Sequence, residues 1–342
     1  MTKLDEAGKA RPAAADSAER VGRATLSSRL LKGQLTWISL ILLAMVLVFS
    51  AISGRSFASM GNLRNISTDT CILAVMALGQ LFVIITGGID LSVGAILVFS
   101  GVVGCLAMNG AGGGLTGVLI GAIVSVGAGS GWGLVNGLLV TRANISPLIA
   151  TLGSYGMAMG LALVIANGID LTAPLDLVRT LGVGRVFGLV PWLVVVAVLA
   201  AVIMGVVLNQ TRFGRHTFAI GASTAAAERS GVPVQRHLIK VYMISGGLAG
   251  LAAIMALARF GTTTIGGHLE DNLKVITAVV LGGASLLGGI GTVTGTVIGT
   301  LIPVVLLNGF VITGIQAFWQ QFAIGMVLVV AVHLDRKKQG VR

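Results

Sequence analysis

Polar and apolar positions along this chain sort into long apolar runs separated by short polar breaks. Ten runs stand out, at 35–53, 66–86, 92–108, 115–140, 146–166, 189–208, 241–260, 274–287, 292–310 and 318–334. A helix needs about 20 mostly apolar residues to cross a bilayer. The eighth run is short and reads as a re-entrant or broken helix, which leaves room for eight or nine full spans. The pattern predicts an all-α polytopic membrane protein with about ten transmembrane helices. Residues 1–34 form a polar tail, 35–334 the membrane domain and 335–342 a second tail.

Composition agrees with that pattern. The 342 residues are 55% hydrophobic and 10% charged, with a mean hydropathy of +0.97. Soluble domains carry about 25% charged residues, so an ordinary water-soluble protein is excluded. The net charge of +11 and the pI near 10.7 would suggest nucleic acid in a soluble chain. Here the basic residues lie between apolar spans and aromatics are only 5%, so the charge reads as topology and no nucleic-acid partner is expected. With the N-terminus placed in the cytoplasm, 17 of the 23 basic residues fall inside: seven in the tail, Arg142, five in the 209–240 loop and four at the C-terminus. Cytoplasmic loops carry the excess of Lys and Arg, so both termini are expected inside. The first apolar run starts too late for a cleaved signal peptide. Leu26, Leu30 and Leu31 give the tail a short amphipathic end suited to a membrane surface. Fifty glycines without a G-X-Y period read as small faces for close helix packing, as in Gly127, Gly129, Gly131, Gly133 and Gly137.

Candidate chemistry is sparse. Cys71 and Cys105 sit in apolar runs as small hydrophobes, and no His/Cys cluster suggests a metal. No GxSxG, HExxH or GxxxxGK[ST] occurs, so no catalytic residues or cofactor are expected and ATP-driven work needs a separate ATPase. Of twelve acids, only Asp69 and Asp90 lie near apolar spans. Asp69 falls at a predicted span end and reads as interfacial. Asp90 follows Thr86-Gly87-Gly88-Ile89. The two glycines break one helix, and Asp90 or Ser92 is placed to cap the next by accepting from its free amides; direct contact with a solute is the other reading. Gly87-Gly88 with Leu91 is faintly echoed by Gly282-Gly283 with Leu286, as paired helix breaks are in transporters. In the 209–240 loop, Ala225–Ala227 favour a short helix, with Ser223 or Thr224 as N-cap and Gly231 and Pro233 as stop. Flanked by basic residues, it suits a docking site for a soluble partner or an anchor on anionic lipid.

Several segments together resemble a known family. VIITGGIDLSVGA (83–95) is similar to the signature of ribose-type permeases of ABC importers, and NGLLV (136–140), ISPLIATLG (145–153), TRFGRHTFAIG (211–221), AAAERSGV (225–232) and AVVLGGASLLGGIGTVTGTVIG (278–299) follow in order. The resemblance implies an inner-membrane, multi-pass subunit that dimerises, as a homodimer in the first reading. It also implies a solute delivered by a periplasmic binding protein and a cytoplasmic ATPase as the energy source. It identifies the segment near Gly221–Gly231 with a coupling helix, which favours docking, with Arg212, Gly214, Arg215, Gly221, Ala225, Ala226 and Gly231 as coupling positions. Met159 stands where relatives often carry Arg, Asn272 where they often carry Glu, and Ser223-Thr224 where Asn-Glu is common.

The solute expected is a sugar or polyol, with autoinducer-2 or a nucleoside as alternatives and a stand-alone carrier or a membrane enzyme as competing readings. A neutral polyhydroxylated solute needs scattered donors and acceptors with few fixed charges. Asp90, Ser92, Asn136, Thr151, Ser154, Tyr155, Asn272 and Asn308 are the candidate pathway residues, though any single one is more readily read as a structural hydrogen bond between helices.

Overall fold

A computed structural model describes residues 34–268 and 270–338. Most of the polar N-terminal tail, with its amphipathic Leu26–Leu31 stretch, lies outside the described residues, as does 339–342. Among the described residues the fold is α-helical apart from a two-residue antiparallel hairpin, β1 (Arg185–Val186) with β2 (Val190–Pro191).

The helices follow the apolar runs closely. They are α1 (Gln34–Ser53), α2 (Met60–Ile85), α3 (Val93–Gly110), α4 (Gly114–Thr141), α5 (Pro147–Ile165), α7 (Trp192–Gln210) and, beyond a cytoplasmic pair, α10 (Val234–Phe260), α11 (Asp271–Leu281), α12 (Val293–Thr313) and α13 (Ala317–Lys338). The label α6 is given to the single turn Leu175–Leu177 on the outer side. The cytoplasmic pair is α8 (Arg212–Ala222) and α9 (Thr224–Arg229). Eight of these helices are long and apolar enough to cross a membrane, and α13 carries the shorter apolar stretch Phe318–Val330. The short eighth run proves to be a half-helix. Its helix spans Asp271–Leu281 rather than 274–287, because Gly282 and Gly283 end it, and a 3-10 turn at Ile265–His268 leads in from the outer side.

Burial divides the helices into two shells. The apolar windows of α2 and α10 are 94% and 83% buried, whereas those of α1 and α7 are 11% and 17% buried. Apolar helices left uncovered in this way belong against lipid. The inner shell is α2, α3 and α10, with α11 wedged beside α2 and α12. Pairings at the two ends fix the sides. Gly114 N donates to Asp176, Arg259 pairs with Asp69, Thr172 bridges Thr262, and Asn62 meets Asn308 at one end. Ile85 meets Gly289 beside Gly221 at the other. The second end carries the basic α8–α9 segment and is the cytoplasmic one.

The glycine stripe of α4 is resolved into two faces. A Cβ on Gly129 would lie 2.1 Å from Gly246 O, and one on Gly133 2.1 Å from Tyr242 O, while Gly127 and Gly131 meet nothing within 4 Å. Small residues on one face let α4 and α10 touch backbone to backbone. Gly129→Val is therefore expected to destabilise the protein by about 1–3 kcal/mol or more through overpacking. Gly131→Val is expected to be tolerated; thermal unfolding of the two variants in detergent checks the contrast.

Candidate functional site

The site begins where α2 stops. Gly87, at φ +80°, takes a conformation open to glycine at little cost. Gly87 N donates to Ile84 O at 2.9 Å and Gly88 N to Val83 O at 3.0 Å, a Schellman closure. The chain then turns back beside α2 until α3 starts at Val93, inside the protein. Along that return the backbone has no strand partner, so side chains from surrounding helices satisfy it. Thr151 of α5 accepts from Leu91 N at 3.1 Å and donates to Ile89 O at 3.3 Å. Gln80 of α2, with its amide oriented to suit both groups, donates to Asp90 O at 3.2 Å and accepts from Asp90 N at 3.1 Å.

Asp90 is fully buried. Its Oδ1 accepts from Ser92 N at 2.9 Å and from the Ser92 hydroxyl, and its Oδ2 from Ser245 Oγ of α10 at 3.4 Å. Ser92 Oγ in turn accepts from Asn136 Nδ2 of α4 at 2.8 Å. The free amide in the first turn of α3 is capped from outside its own segment: Gly94 N donates to Asn272 Oδ1 of α11 at 2.6 Å, and Ser92 makes no side-chain cap. The expectation that Asp90 or Ser92 would cap that turn is corrected accordingly. Asp90 instead closes an Asx turn onto Ser92 N. Five helices thus converge on one break, and the N-termini of α3 and α11 face each other there.

The second glycine pair ends α11 in the same manner. Gly283 adopts φ +98°; its N donates to Val280 O and Ala284 N to Val279 O, at 3.0 and 3.1 Å. The two breaks touch: Gly289 N donates to Ile85 O at 2.8 Å. Gly221, at the end of α8, closes the junction, since a Cβ there would lie 1.8 Å from Ile85 O and 2.5 Å from Gly289 N. Thr211 caps α8 by accepting from Gly214 N at 3.3 Å, and Ser223 caps α9 by accepting from Ala226 N at 3.3 Å. Thr217 of α8 meets His237 of α10 at 2.9 Å and anchors the pair to the membrane domain. Arg212, Arg215, Ala225 and Ala226 are exposed, while Gly214 and Ala227 are buried. Gly231, at φ +80° with nothing within 4 Å of a Cβ, ends α9 in open space.

A family model described as branched-chain amino acid transport system / permease component matches residues 62–332. The chain belongs to that family. The permease is 37% identical over 309 residues to the ribose import permease protein of Escherichia coli (strain K12), covering 87% of this chain and 92% of that one. It is 38% identical over 307 residues to the ribose import permease protein of Bacillus subtilis (strain 168), covering 86% and 91%. It is also 32% identical over 297 residues to the D-allose transport system permease protein of E. coli (strain K12), covering 86% and 90%. No solved structure matches the permease significantly.

Of the pathway residues expected from the sequence, Asp90, Ser92, Asn136, Thr151 and Asn272 form one buried network. Ser154 is fully buried on α5, with no hydrogen-bond partner for its hydroxyl among the described residues. Tyr155 packs half-buried against the core. Asn308 lies apart at the outer side, in a reciprocal amide pair with Asn62 at 2.8 and 2.9 Å. Three polar groups were missed: the Arg259–Asp69 ion pair at 3.1 Å, and His268 and Lys274 flanking Asp271 at 2.7 and 2.9 Å. On sequence alone Asp69 reads as interfacial, with no partner in view. The available signal was spacing, since His268, Asp271 and Lys274 fall three residues apart at the start of a helix.

Proposed function

We propose that this chain is the membrane subunit of an ABC importer that takes up a neutral sugar or polyol. The relatives described above are named for ribose and allose, and another, 33% identical over 301 residues, is named for L-arabinose. Membership of the family implies a cytoplasmic ATPase and a solute-binding protein as partners. The single observation that carries the mechanism is the junction of Gly221 with Ile85 and Gly289. A partner gripping exposed α9 would push α8 directly on both helix breaks. The breaks hold the network around Asp90, so force applied at the inner face reaches the middle of the membrane domain through backbone contacts at the junction and the side-chain network beyond it.

Two copies are proposed to pair through the apolar faces of the outer-shell helices, with Arg212 and Arg215 lying beside anionic headgroups. High affinity belongs to the binding protein, so the membrane path needs only weak contacts. The test is uptake by proteoliposomes holding the permease with its ATPase and binding protein. D-ribose, D-allose, L-arabinose and, for the class named in the family description, leucine are offered in turn. Sugar uptake that requires all three components and ATP is expected. Concentrative uptake by the permease alone would establish a stand-alone carrier instead, and uptake of leucine alone would overturn the solute class.

A further inference from the structure

A cavity of about 350 Å³ opens between α2, α11, α12 and the outer end of α10, on the side away from the ATPase face. That volume lies at the lower end of the range of about 300–1,000 Å³ usual for small-molecule sites. Its lining holds the Asn65 and Asn308 amides together with His268, Asp271 and Lys274 at the start of the half-helix α11. Charged side chains at membrane depth line water-filled space or pair with one another, and here they pair beside a cavity. Arg259 reaches Asp69 and Asn65 at 3.1 Å each, and Asp271 accepts from His268 and Lys274.

We propose that this cavity is a weak resting site for the neutral polyhydroxylated solute within a single protomer, a deepening of the sugar-permease reading on which it rests. Three features select that chemistry. The lining charges cancel, with Asp69 and Asp271 against Arg259 and Lys274, so nothing favours a net-charged ligand such as a phosphate headgroup. Carboxylates (Asp69, Asp271) and amides (Asn65, Asn308) share the lining, which suits hydroxyls that both donate and accept. Phe260 is 49% exposed at the edge of the cavity, and a ring face of this kind covers the C–H side of a sugar. The site also bears on the moving part of the molecule. Asp271 in the lining adjoins Asn272, whose side chain caps α3 at 2.6 Å. A solute drawing on Asp271 or Lys274 would therefore pull on the same helix start that holds the central break.

Leu307, half-buried on the α12 wall, supplies the test. In the assembled importer, Leu307→Trp fills the cavity and is expected to cut uptake of the transported sugar by about tenfold or more, as a misplaced or excluded reactant does at a preorganised site. Leu307→Cys in membrane vesicles is labelled by a membrane-impermeant thiol reagent, with the wild type, whose Cys71 and Cys105 are buried, as baseline. The sugar that the importer carries should slow this labelling in a concentration-dependent way, and inorganic phosphate should not. Unchanged uptake in Leu307→Trp, labelling untouched by the sugar, or protection by phosphate instead would each overturn the site. Should Leu307→Trp fail to assemble, the labelling result decides. A wild-type importer that moves no sugar at all overturns the sugar reading and this site together, whereas sugar uptake by the wild type with no protection of the Leu307→Cys variant removes the site alone.

Discussion

Gly221→Val is expected to abolish coupling between ATP hydrolysis and uptake while leaving the membrane domain folded. The side chain would enter space already held by Ile85 O, 1.8 Å from an ideal Cβ, and by Gly289 N at 2.5 Å. Neither obstacle is a flexible side-chain end that can swing aside; both are backbone of the two helix breaks. The α8–α9 pair must therefore lift off the junction. The clash falls on the last residue of α2 and leaves the rest of the α2, α3 and α10 core untouched, so the variant should extract and purify normally. Uptake is expected to fall by about 5- to 150-fold, the span of ordinary coupling free energies, with ATP hydrolysis continuing. Gly231→Ala is the informative companion. It meets no atom within 4 Å and suffers only from its φ of +80°, a strain of about 1–2 kcal/mol. Its uptake should stay within a few-fold of wild type, and uptake by Gly221→Val equal to that of Gly231→Ala would rule out the junction as the route of force.

The contrast between these two glycines shows what could be read before any coordinates. They fall in neighbouring motifs, 211–221 and 225–232, and the family resemblance marks both as coupling positions without telling a close approach from a turn. Span positions were legible because a bilayer imposes one period and one length on every crossing helix. The start of α10 at Val234 instead of 241 was hidden because its first two turns, with Arg236, His237 and Lys240, are polar and cytoplasmic. Helix α8 was hidden for the same reason: Arg212, Arg215 and His216 break up the continuous apolar run that marks a membrane span. The Thr86–Gly88 break was legible because its glycine pair stands just before the polar Asp90 and Ser92, whereas Gly246-Gly247 lies inside a continuous apolar run. The grouping of Asp90 with Asn136, Thr151 and Asn272 was not derivable, since 182 positions separate Asp90 from Asn272 along the chain and only packing brings them together.

Asp90→Ala is expected to cost stability first and transport as a consequence. Removing the carboxylate strands Ser92 N and Ser245 Oγ and leaves the Ser92 hydroxyl only the Asn136 amide from which it accepts, all in fully or nearly fully buried residues. Buried groups left without a partner cost about 1–3 kcal/mol each, so a loss of several kcal/mol and a clear fall in Tm should follow. Asp90→Asn separates this role from solute contact. Its Oδ1 still accepts from Ser92 N, and its amide faces the Ser245 hydroxyl, which can accept as readily as it donates. If the residue serves the break, Asp90→Asn keeps most of the Tm and most of the uptake. If it reads the solute, Asp90→Asn keeps the Tm and loses uptake or changes the preferred sugar. The geometry favours the first outcome, because every carboxylate bond goes to the protein and no part of Asp90 reaches open space. A stable Asp90→Asn permease that no longer transports would move the solute path from the outer cavity to the break itself.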